Sequence, residues 1–308
     1  MLILKSTNKQ RTIVGKHRLA WYNPIYPWLL LLPTLIGLII FRILPIAGSF
    51  YLSFTDWDFL RAPKFIGIEN FREAFSNPSF LQVVSNTLLF SVLYVIGVMI
   101  IGLFLAVLVN SKVPGVNFFR AAFYLPVVTS AVAVGIIWRW ILSPNYGILN
   151  NFLQIIGINP PFWLGDKSIA LFTVSFIQVW KMSGYYMIMF LAGLQSIPMS
   201  IKEAALVDGA NPRQLFFRIT LPMLSPTTFF VLTIAIIDSF KNFELIYTMT
   251  RGGPQNATNT LVYDVYLNAF VHYRMGYASA VSFILLLGVG VITYLNFKMK
   301  KRWVNLQY

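Results

Sequence analysis

Six long apolar runs constrain this chain more than any other feature of its sequence. Each is about 20 residues or longer, the length that a helix needs to cross a hydrocarbon core about 30 Å thick. In lipid the backbone polar groups must be satisfied within the protein, which favours helices. The sequence therefore predicts an all-α polytopic membrane protein with six transmembrane helices. We place them at residues 28–50, 83–109, 121–142, 169–194, 222–246 and 278–297.

The composition agrees with this class, because 57% of the residues are hydrophobic and only 11% are charged. A polar tail of more than twenty residues precedes the first apolar run, which is unlike a cleaved signal peptide. We therefore expect that run to remain as the first transmembrane helix. The predicted organisation is a basic tail at 1–27, a transmembrane domain at 28–297 with a loop at about 195–221, and a basic tail at 298–308.

The basic residues predict how the helices are oriented. The two tails and the second and fourth loops together carry 14 Lys and Arg against two acids, Glu203 and Asp208. The alternate loops carry six basic residues against seven acids. Because cytoplasmic loops of membrane proteins are enriched in Lys and Arg, both termini and the loop around Glu203 are predicted to be cytoplasmic. The protein is therefore expected in the cell membrane.

Several classes of function are disfavoured by the composition. The net charge of +14 is explained by topological signals and proximity to anionic lipid, so it does not indicate nucleic-acid binding. The chain has no cysteine and two histidines, His17 and His272, which disfavours a thiol nucleophile or a metal centre. We expect no cofactor or metal bound by this chain.

The predicted cytoplasmic loop has its own pattern of helix signals. Pro198 is placed to open a short helix over 202–207, and Gly209 suits the positive-φ position that closes it. Asn211 followed by Pro212 is a favourable N-cap and N1 pair for a second helix. The loop is therefore predicted to form two short helices joined by a bend, an arrangement that we call the elbow.

The elbow also carries apolar side chains that water would otherwise meet. Leu215, Phe216 and Ile219 lie on the second helix, and the small pair Ala204 and Ala205 permits close approach of another chain. Exposed apolar surface of this kind favours a partner groove. The alternative is an amphipathic connector that lies on the lipid headgroups.

The run Glu203-Ala204-Ala205, then Asp208-Gly209-Ala210, then 219–222 (ITLP) resembles the EAA loop of inner-membrane permeases of ATP-binding-cassette importers. The resemblance extends from about residue 28 to 297 and is greatest to the carbohydrate-uptake branch, in particular to maltose-type first permeases. The chain lacks the additional N-terminal spans and large outer domain of the maltose protein itself. Other segments that carry the resemblance are LLPTLIGLIIFRILPIAGSFYLSFTDWD, FIGIENFREAF, FFRAAFYLPVVTSAVAVGIIWRWILSP and TRGGPQNATNTLVYDVY.

The resemblance implies a division of labour between subunits. No G-x-x-x-x-G-K-[ST] phosphate loop occurs in the chain, so it has no ATP site of that kind, and ATP with Mg²⁺ is expected on a partner ATPase. The implied partners are a second homologous permease, a cytoplasmic ATPase dimer, an extracellular sugar-binding protein, the sugar and membrane lipid. The residues implied in coupling to the ATPase are Glu203, Ala204, Ala205, Asp208, Gly209 and Ala210.

Polar residues inside the spans are the candidates for a substrate pathway. A lysine at the centre of a span costs about 2.5–3.5 kcal/mol on insertion scales, so Lys181 should face a cavity, the partner subunit or an acid. Gln178, Lys181, Met182 and Tyr185 have the spacing of one helix face. In the permeases that this segment resembles, that face lines the sugar pocket.

The fifth span supplies further candidates, since the resemblance also places Ser239, Asn242 and Glu244 along the pathway. Asp238 and Lys241, three residues apart, are placed to neutralise each other. Sugar pockets combine flat apolar surfaces with a few polar anchors. The aromatic candidates are Trp180, Tyr185 and Tyr186, with membrane packing or interface anchoring as the alternative role.

Other charged or glycine-rich positions favour structural roles. Arg42 and Arg139 lie near span ends and can reach the interface by snorkelling. The TRGGP segment, residues 250–254, predicts a sharp turn; by resemblance it lies near a binding-protein docking surface, although a plain turn needs the same residues.

These observations together predict the transmembrane subunit of an ATP-driven importer. It would take a sugar, in our interpretation an oligosaccharide, from an external binding protein and move it inward by alternating access. A glycerol-3-phosphate or acidic-sugar importer of the same family is the alternative. An ion-coupled secondary sugar transporter is the alternative of a different class, but we find no paired helix interruptions in two repeats.

Overall fold

A computed structural model of the protein describes residues 25–111 and 114–303. This part is mostly helical, with one two-stranded antiparallel hairpin that pairs β1 (Thr55–Asp56) with β2 (Lys64–Phe65). The predicted basic tails lie largely outside the described residues. The helices are α1 (Ile25–Leu38), α2 (Leu44–Leu52), α3 (Glu69–Ser76), α4 (Pro78–Val109), α5 (Val116–Val128), α6 (Ala131–Ile141), α7 (Ile148–Ile155), α8 (Ala170–Ser196), α9 (Met199–Val207), α10 (Pro212–Gln214), α11 (Leu221–Met223), α12 (Ser225–Ser239), α13 (Glu244–Met249), α14 (Leu261–Tyr266) and α15 (Met275–Trp303). Three π-helical segments complete them: π1 (Ile39–Ile43), π2 (Leu215–Thr220) and π3 (Leu267–Val271).

The chain forms two compact units, residues 1–48 and 49–308. The described part of the first unit is α1, π1 and the start of α2, which are apolar throughout apart from Arg42 and a few small or hydroxyl residues. The second unit contains the elbow and all of the predicted pathway residues.

Three helices in the described residues are long and apolar enough to cross a membrane, at Pro27–Leu52, Pro78–Val109 and Met275–Lys300. The number rises to five if each of two bent pairs counts as one span. The fourth predicted span is helix α8, whose 27 residues would reach about 40 Å. It is long enough to cross, but it is less apolar than a helix that faces lipid, because it carries the polar residues on which the site depends. A count of six spans therefore stays a prediction.

The third and fifth predicted spans are not single straight helices. Helices α5 and α6 meet at a bend of 95°, where Thr129 and Ser130 adopt extended backbone. Pro126 lies just before this break and cannot donate a backbone hydrogen bond. The fifth span was predicted to reach residue 246, but α12 ends at Ser239 and the separate helix α13 follows.

Helix α4 has one buried face and one exposed face. Its buried residues recur every three or four positions, which is the pattern of a helix with one face against a core and the other against lipid. The Asn77 side chain caps its first turn by accepting a hydrogen bond from the Ser79 N–H, and Pro78 occupies N1. The helix therefore starts five residues before the predicted span.

Helix α8 lies at the centre of the second unit, with 15 of its 27 residues buried. It packs against α4, α5 and α12. Glycines make these approaches close: a Cβ on Gly184 would meet the backbone of Phe123 and Tyr124 in α5, and one on Gly102 of α4 would lie 2.8 Å from Cβ of Tyr186. Because protein interiors are close-packed, no larger residue fits at these crossings without movement of the helices.

Candidate functional site

The elbow folds as its sequence predicts. Helix α9 ends in a Schellman motif, since the Gly209 N–H donates to the carbonyl of Leu206 and the Ala210 N–H donates to that of Ala205. Gly209 has φ of +83°, a backbone region that favours glycine. The predicted bend position is therefore confirmed.

The second half of the elbow begins with a capping box. The side chain of Asn211 accepts from the Gln214 N–H at 2.8 Å, and the Gln214 side chain accepts from the Asn211 N–H at 2.9 Å. Pro212 occupies N1, as predicted. The helix continues through π2 and α11, so the whole stretch Pro212–Met223 is helical, and it joins α12 at a bend of 64°.

The exposure of the elbow corrects part of the prediction. Glu203 and Ala204 are exposed, but Ala205 is only 8% exposed and faces the interior of its own chain. The predicted apolar surface of Leu215, Phe216 and Ile219 is half-buried, because the second helix packs these residues inward. The large apolar residues that are exposed are instead Met199, Leu206, Val207, which is 87% exposed, and Phe217. Asp208 and Gly209 are also exposed.

Lys181 is buried in α8, with 6% of the residue exposed. Its Nζ donates a hydrogen bond to the carbonyl of Val127 at 3.1 Å, in the last turn of α5. The last carbonyls of a helix have no intrahelical partner, and they form the negative end of the helix dipole. The ammonium therefore caps the broken end of α5. The sequence predicts that Lys181 faces a cavity, the partner subunit or an acid. Its partner within this chain is a backbone carbonyl and not an acid.

The other residues of the predicted α8 face are less buried than Lys181. Gln178, Met182 and Tyr185 are half-buried, whereas Lys181 turns inward to α5. Trp180 is more exposed and packs edge-on against Trp138 of α6, with ring centroids 5.5 Å apart. Lys181 therefore has a different environment from the other three residues of the predicted face, and the pathway role of all four stays a prediction.

A chain of hydrogen bonds joins α4, α8 and α12. The Tyr94 hydroxyl bonds to that of Tyr186 at 3.2 Å, and the Tyr186 hydroxyl donates to Oδ2 of Asp238 at 3.3 Å. Oδ1 of Asp238 pairs with Lys241 Nζ at 3.3 Å, which confirms the predicted neutralisation. Tyr186 is fully buried and bonded in this chain, so its predicted place among the pocket aromatics stays a prediction. Periodicity in the sequence could not have identified the Tyr94 partner.

The remaining candidates lie where α12 gives way to α13. Ser239 is buried and its hydroxyl donates to the carbonyl of Ile236. Asn242 is buried, and its Nδ2 donates to no acceptor among the described residues. Glu244 is exposed at the start of α13. Of these three, Asn242 alone has a buried amide donor without an acceptor among the described residues.

The predicted turn at 250–254 is confirmed, with φ of +80° at Gly252. The hydroxyl of Thr258 donates to the carbonyl of Gly253, which closes the turn, and the Asn86 side chain donates to the carbonyls of Asn256 and Asn259. The segment is therefore tied to α4. Burial raises the pKa of the nearby Asp264 carboxyl above its usual range.

Arg42 and Arg139 are both exposed on their helices, as snorkelling requires. In the segment that precedes α8, the hydroxyl and backbone N–H of Ser168 both donate to Asp166. These bonds hold the pKa of Asp166 below its usual range, and the side-chain bond is the larger cause.

Comparison with known proteins supports the resemblance to importer permeases that the sequence analysis describes. The family model described as "Binding-protein-dependent transport system inner membrane component" matches residues 98–303. The chain is 39% identical over 305 residues to the probable ABC transporter permease protein YesP of Bacillus subtilis (strain 168), with 96% of this chain and 95% of that protein covered.

It is also 36% identical over 285 residues to the sn-glycerol-3-phosphate transport system permease protein UgpA of Pectobacterium atrosepticum, with 91% and 96% covered. Among solved structures, this chain resembles a chain of the bacterial alginate ABC transporter. That structure is a complex with an alginate pentasaccharide-bound periplasmic protein. The TM-score is 0.82 at 26% identity, with 94% of this chain and 99% of that chain covered. The chain therefore belongs to the family of inner membrane components of binding-protein-dependent transport systems.

Proposed function

We propose that this chain is one permease subunit of an ATP-driven importer that moves a sugar into the cell. The observation that carries the proposal is the elbow, where Leu206 and Val207 are exposed beside Glu203 on a helix that the Gly209 turn closes. A solvent-exposed apolar ridge with an adjacent acid fits a groove on another protein. The names of the relatives support a sugar or related substrate.

The proposed topology has six transmembrane helices, with α8 as the fourth, and both termini in the cytoplasm. A central helix that is surrounded by other helices need not be as apolar as one that faces lipid, and 15 buried residues support this place for α8. The permease domain is proposed at 28–297, with the basic tails at 1–27 and 298–308 in the cytoplasm of a cell with this importer in its inner membrane.

The proposed partners each have a distinct role. A cytoplasmic ATPase dimer binds ATP and Mg²⁺ and receives the elbow at α9 and the Gly209 turn, where Glu203, Ala204, Asp208 and Gly209 are exposed for contact. Ala205 and Ala210 then act within the elbow, since Ala205 is buried and the Ala210 N–H completes its cap. A second homologous permease completes the pore, and an extracellular binding protein delivers the sugar.

The proposed pathway runs along the half-buried face of α8 and the end of α12. Gln178, Met182 and Tyr185 offer one amide and apolar surface, and Asn242 has a buried amide donor without an acceptor in the part of the chain that the structure describes. A saccharide hydroxyl would satisfy that donor, since a buried unpaired donor costs about 1–3 kcal/mol. Three more residues are assigned to the pathway: Trp180, Ser239 and Glu244.

The charge of the substrate decides between the main proposal and its alternative. A glycerol-3-phosphate or acidic-sugar importer would need a cation available in the pathway. Lys181 is already bound to the Val127 carbonyl, and Lys241, although its side chain is 67% exposed, is paired with Asp238. This geometry favours a neutral saccharide, in our proposal an oligosaccharide, while the named substrates of UgpA and the alginate transporter favour the alternative.

The test uses the complete complex in lipid with its ATPase and binding protein. ATPase activity is measured with neutral oligosaccharides, acidic oligosaccharides and glycerol-3-phosphate. We expect stimulation by one class, and its loss in Glu203→Ala. Lys298→Ala serves as the control because Lys298 is exposed at the same predicted membrane face outside the elbow. Normal coupling in Glu203→Ala would contradict the role of the elbow.

Uptake into vesicles separates this proposal from an ion-coupled transporter. An ATP-driven importer needs ATP on the ATPase side and keeps its activity when ionophores collapse the ion gradients. Uptake that continues without ATP and stops with the ionophore would instead establish the secondary transporter.

A further inference from the structure

The two halves of the elbow differ in the side chains that they expose. The first half, α9 with the Gly209 turn, exposes Leu206 and Val207 with acids beside them. The second half, Pro212–Met223, exposes Arg213, Arg218 and Phe217. The first half is apolar and acidic and the second half is basic and aromatic, so the two halves favour different binding partners.

The exposed residues of the second half line a shallow depression of about 360 Å³ with Asn211 and Gln214. In an α-helix, residues five apart point to different sides, because each residue turns the helix by about 100°. The π-helical segment π2 has fewer degrees of turn per residue, which brings the side chain of Arg218 to the same depression as Arg213. Among the described residues, neither guanidinium forms an ion pair.

The bend of 64° sets how far these arginines lie from the start of α12 along the direction of that helix. For a span α12 that stands near the membrane normal, a helix inclined by this angle descends about 0.65 Å per residue. Arg218 and Arg213 then lie about 5 and 8 Å beyond Ser225, where α12 begins. The headgroup layer is itself about 5–8 Å thick on each side of the hydrocarbon core. For a hydrocarbon core that ends at Ser225, the backbone positions of both arginines then fall at the depth of the headgroups, within reach of the lipid phosphates.

We propose that Arg213 and Arg218 bind the phosphate of an anionic phospholipid of the cytoplasmic leaflet. Guanidinium groups bind phosphate through paired, charge-assisted hydrogen bonds, and Gln214 adds a polar group beside them. Phe217 is 57% exposed and, between the two arginines, can enter the boundary of the acyl chains. The second half of the elbow rests on lipid, while the first half is left free for the ATPase.

The test combines a binding measurement with a functional one in nanodiscs that hold the whole complex. The discs contain phosphatidylcholine alone or a mixture with phosphatidylglycerol, and lipid that stays bound after extraction is measured by native mass spectrometry. We expect Arg213→Gln with Arg218→Gln to reduce retained phosphatidylglycerol by about fivefold for each arginine, since a basic residue near an anionic surface contributes about 1 kcal/mol. The variant with lysine at both positions should keep most of the retention.

The charge-matched control is Lys202→Gln with Lys298→Gln, which removes two charges from the same predicted face outside the depression. We expect it to reduce retention much less than the arginine pair does. An equal reduction would show that any surface charge suffices, and would overturn the proposal of a site. Retention that is unchanged in the arginine variant would overturn it as well.

The functional measurement identifies the occupant, and it alone rests on the proposed importer function. We expect phosphatidylglycerol to stimulate the ATPase activity of the wild type, and the glutamine variant to equal the wild type in phosphatidylcholine. A loss of activity in phosphatidylcholine would assign the arginines to the ATPase contact instead of lipid. Stimulation of phosphatidylcholine discs by inorganic phosphate would show that a headgroup is not the occupant. If no complex hydrolyses ATP, the importer proposal fails, but the retention measurement still decides the lipid site.

Discussion

The elbow and helix α8 depart from the usual distribution of polar and apolar side chains in opposite ways. The elbow exposes Leu206, Val207 and Phe217 on a loop between predicted spans, whereas α8 buries Lys181 and Tyr186. In α8 the polar groups have partners inside the chain, the Val127 carbonyl and the Asp238 carboxylate. The apolar residues of the elbow are exposed in this chain. The comparison indicates that the buried polar groups of α8 are satisfied within this chain, whereas the elbow is completed by something outside it.

The largest expected effect tests whether α8 is the fixed centre of the fold. A Cβ on Gly184 would meet the α5 backbone, which cannot move aside as a flexible side chain could. We expect Gly184→Val to destabilise the complex by about 3 kcal/mol, at the upper end for overpacked cores. The control is Gly288→Val in α15, since an added Cβ there meets nothing within 4 Å. Thermal unfolding monitored by size-exclusion chromatography measures both, and equal midpoints would contradict the close crossing.

The next effect tests the elbow, where we expect a change in binding and not in stability. Val207→Asp should lower the affinity for the ATPase by about 30-fold, the loss of one exposed anchor worth about 2 kcal/mol. Its unfolding temperature should stay near that of the wild type, because exposed substitutions usually change stability by less than about 0.5 kcal/mol. Ile155→Asp is the matched control, since Ile155 is 83% exposed on α7. If both variants bind the ATPase normally, the ridge is not the contact.

The third prediction sharpens the role of Lys181. Replacing it by methionine leaves the Val127 carbonyl without its donor, at a cost of about 1–3 kcal/mol, but also removes a charge that is costly to bury. These terms oppose each other, so we expect a net destabilisation below about 2 kcal/mol. Stimulated ATPase activity should fall by the same factor for neutral and acidic substrates. A change in preference between the two classes would show that the ammonium contacts substrate.

The sequence predicts the elbow well and the core of α8 poorly, for a physical reason. The Gly209 turn and the Asn211–Gln214 capping box depend on residues within a few positions of one another, so local chemistry is sufficient. The Lys181–Val127 bond joins residues 54 positions apart and exists only because the third span breaks. Pro126 was a visible signal of that break, but a proline in a membrane helix does not fix a 95° bend. The burial of Ala205 similarly depends on tertiary packing and not on the motif.

The smallest expected effect concerns the chain of hydroxyls between α4, α8 and α12. Tyr186→Phe removes the donor to Asp238 and the partner of Tyr94, so about 1 kcal/mol of stability should be lost. Tyr94→Phe is the control, because it removes only the hydrogen bond between Tyr94 and Tyr186 and leaves the one between Tyr186 and Asp238. We therefore expect Tyr94→Phe to lose less stability than Tyr186→Phe. Because Asp238 keeps its pairing with Lys241, neither variant should abolish folding. Unfolding midpoints of the purified complex measure the difference. A larger loss in Tyr94→Phe would mean that the link to α4, and not the one to α12, holds α8 in place.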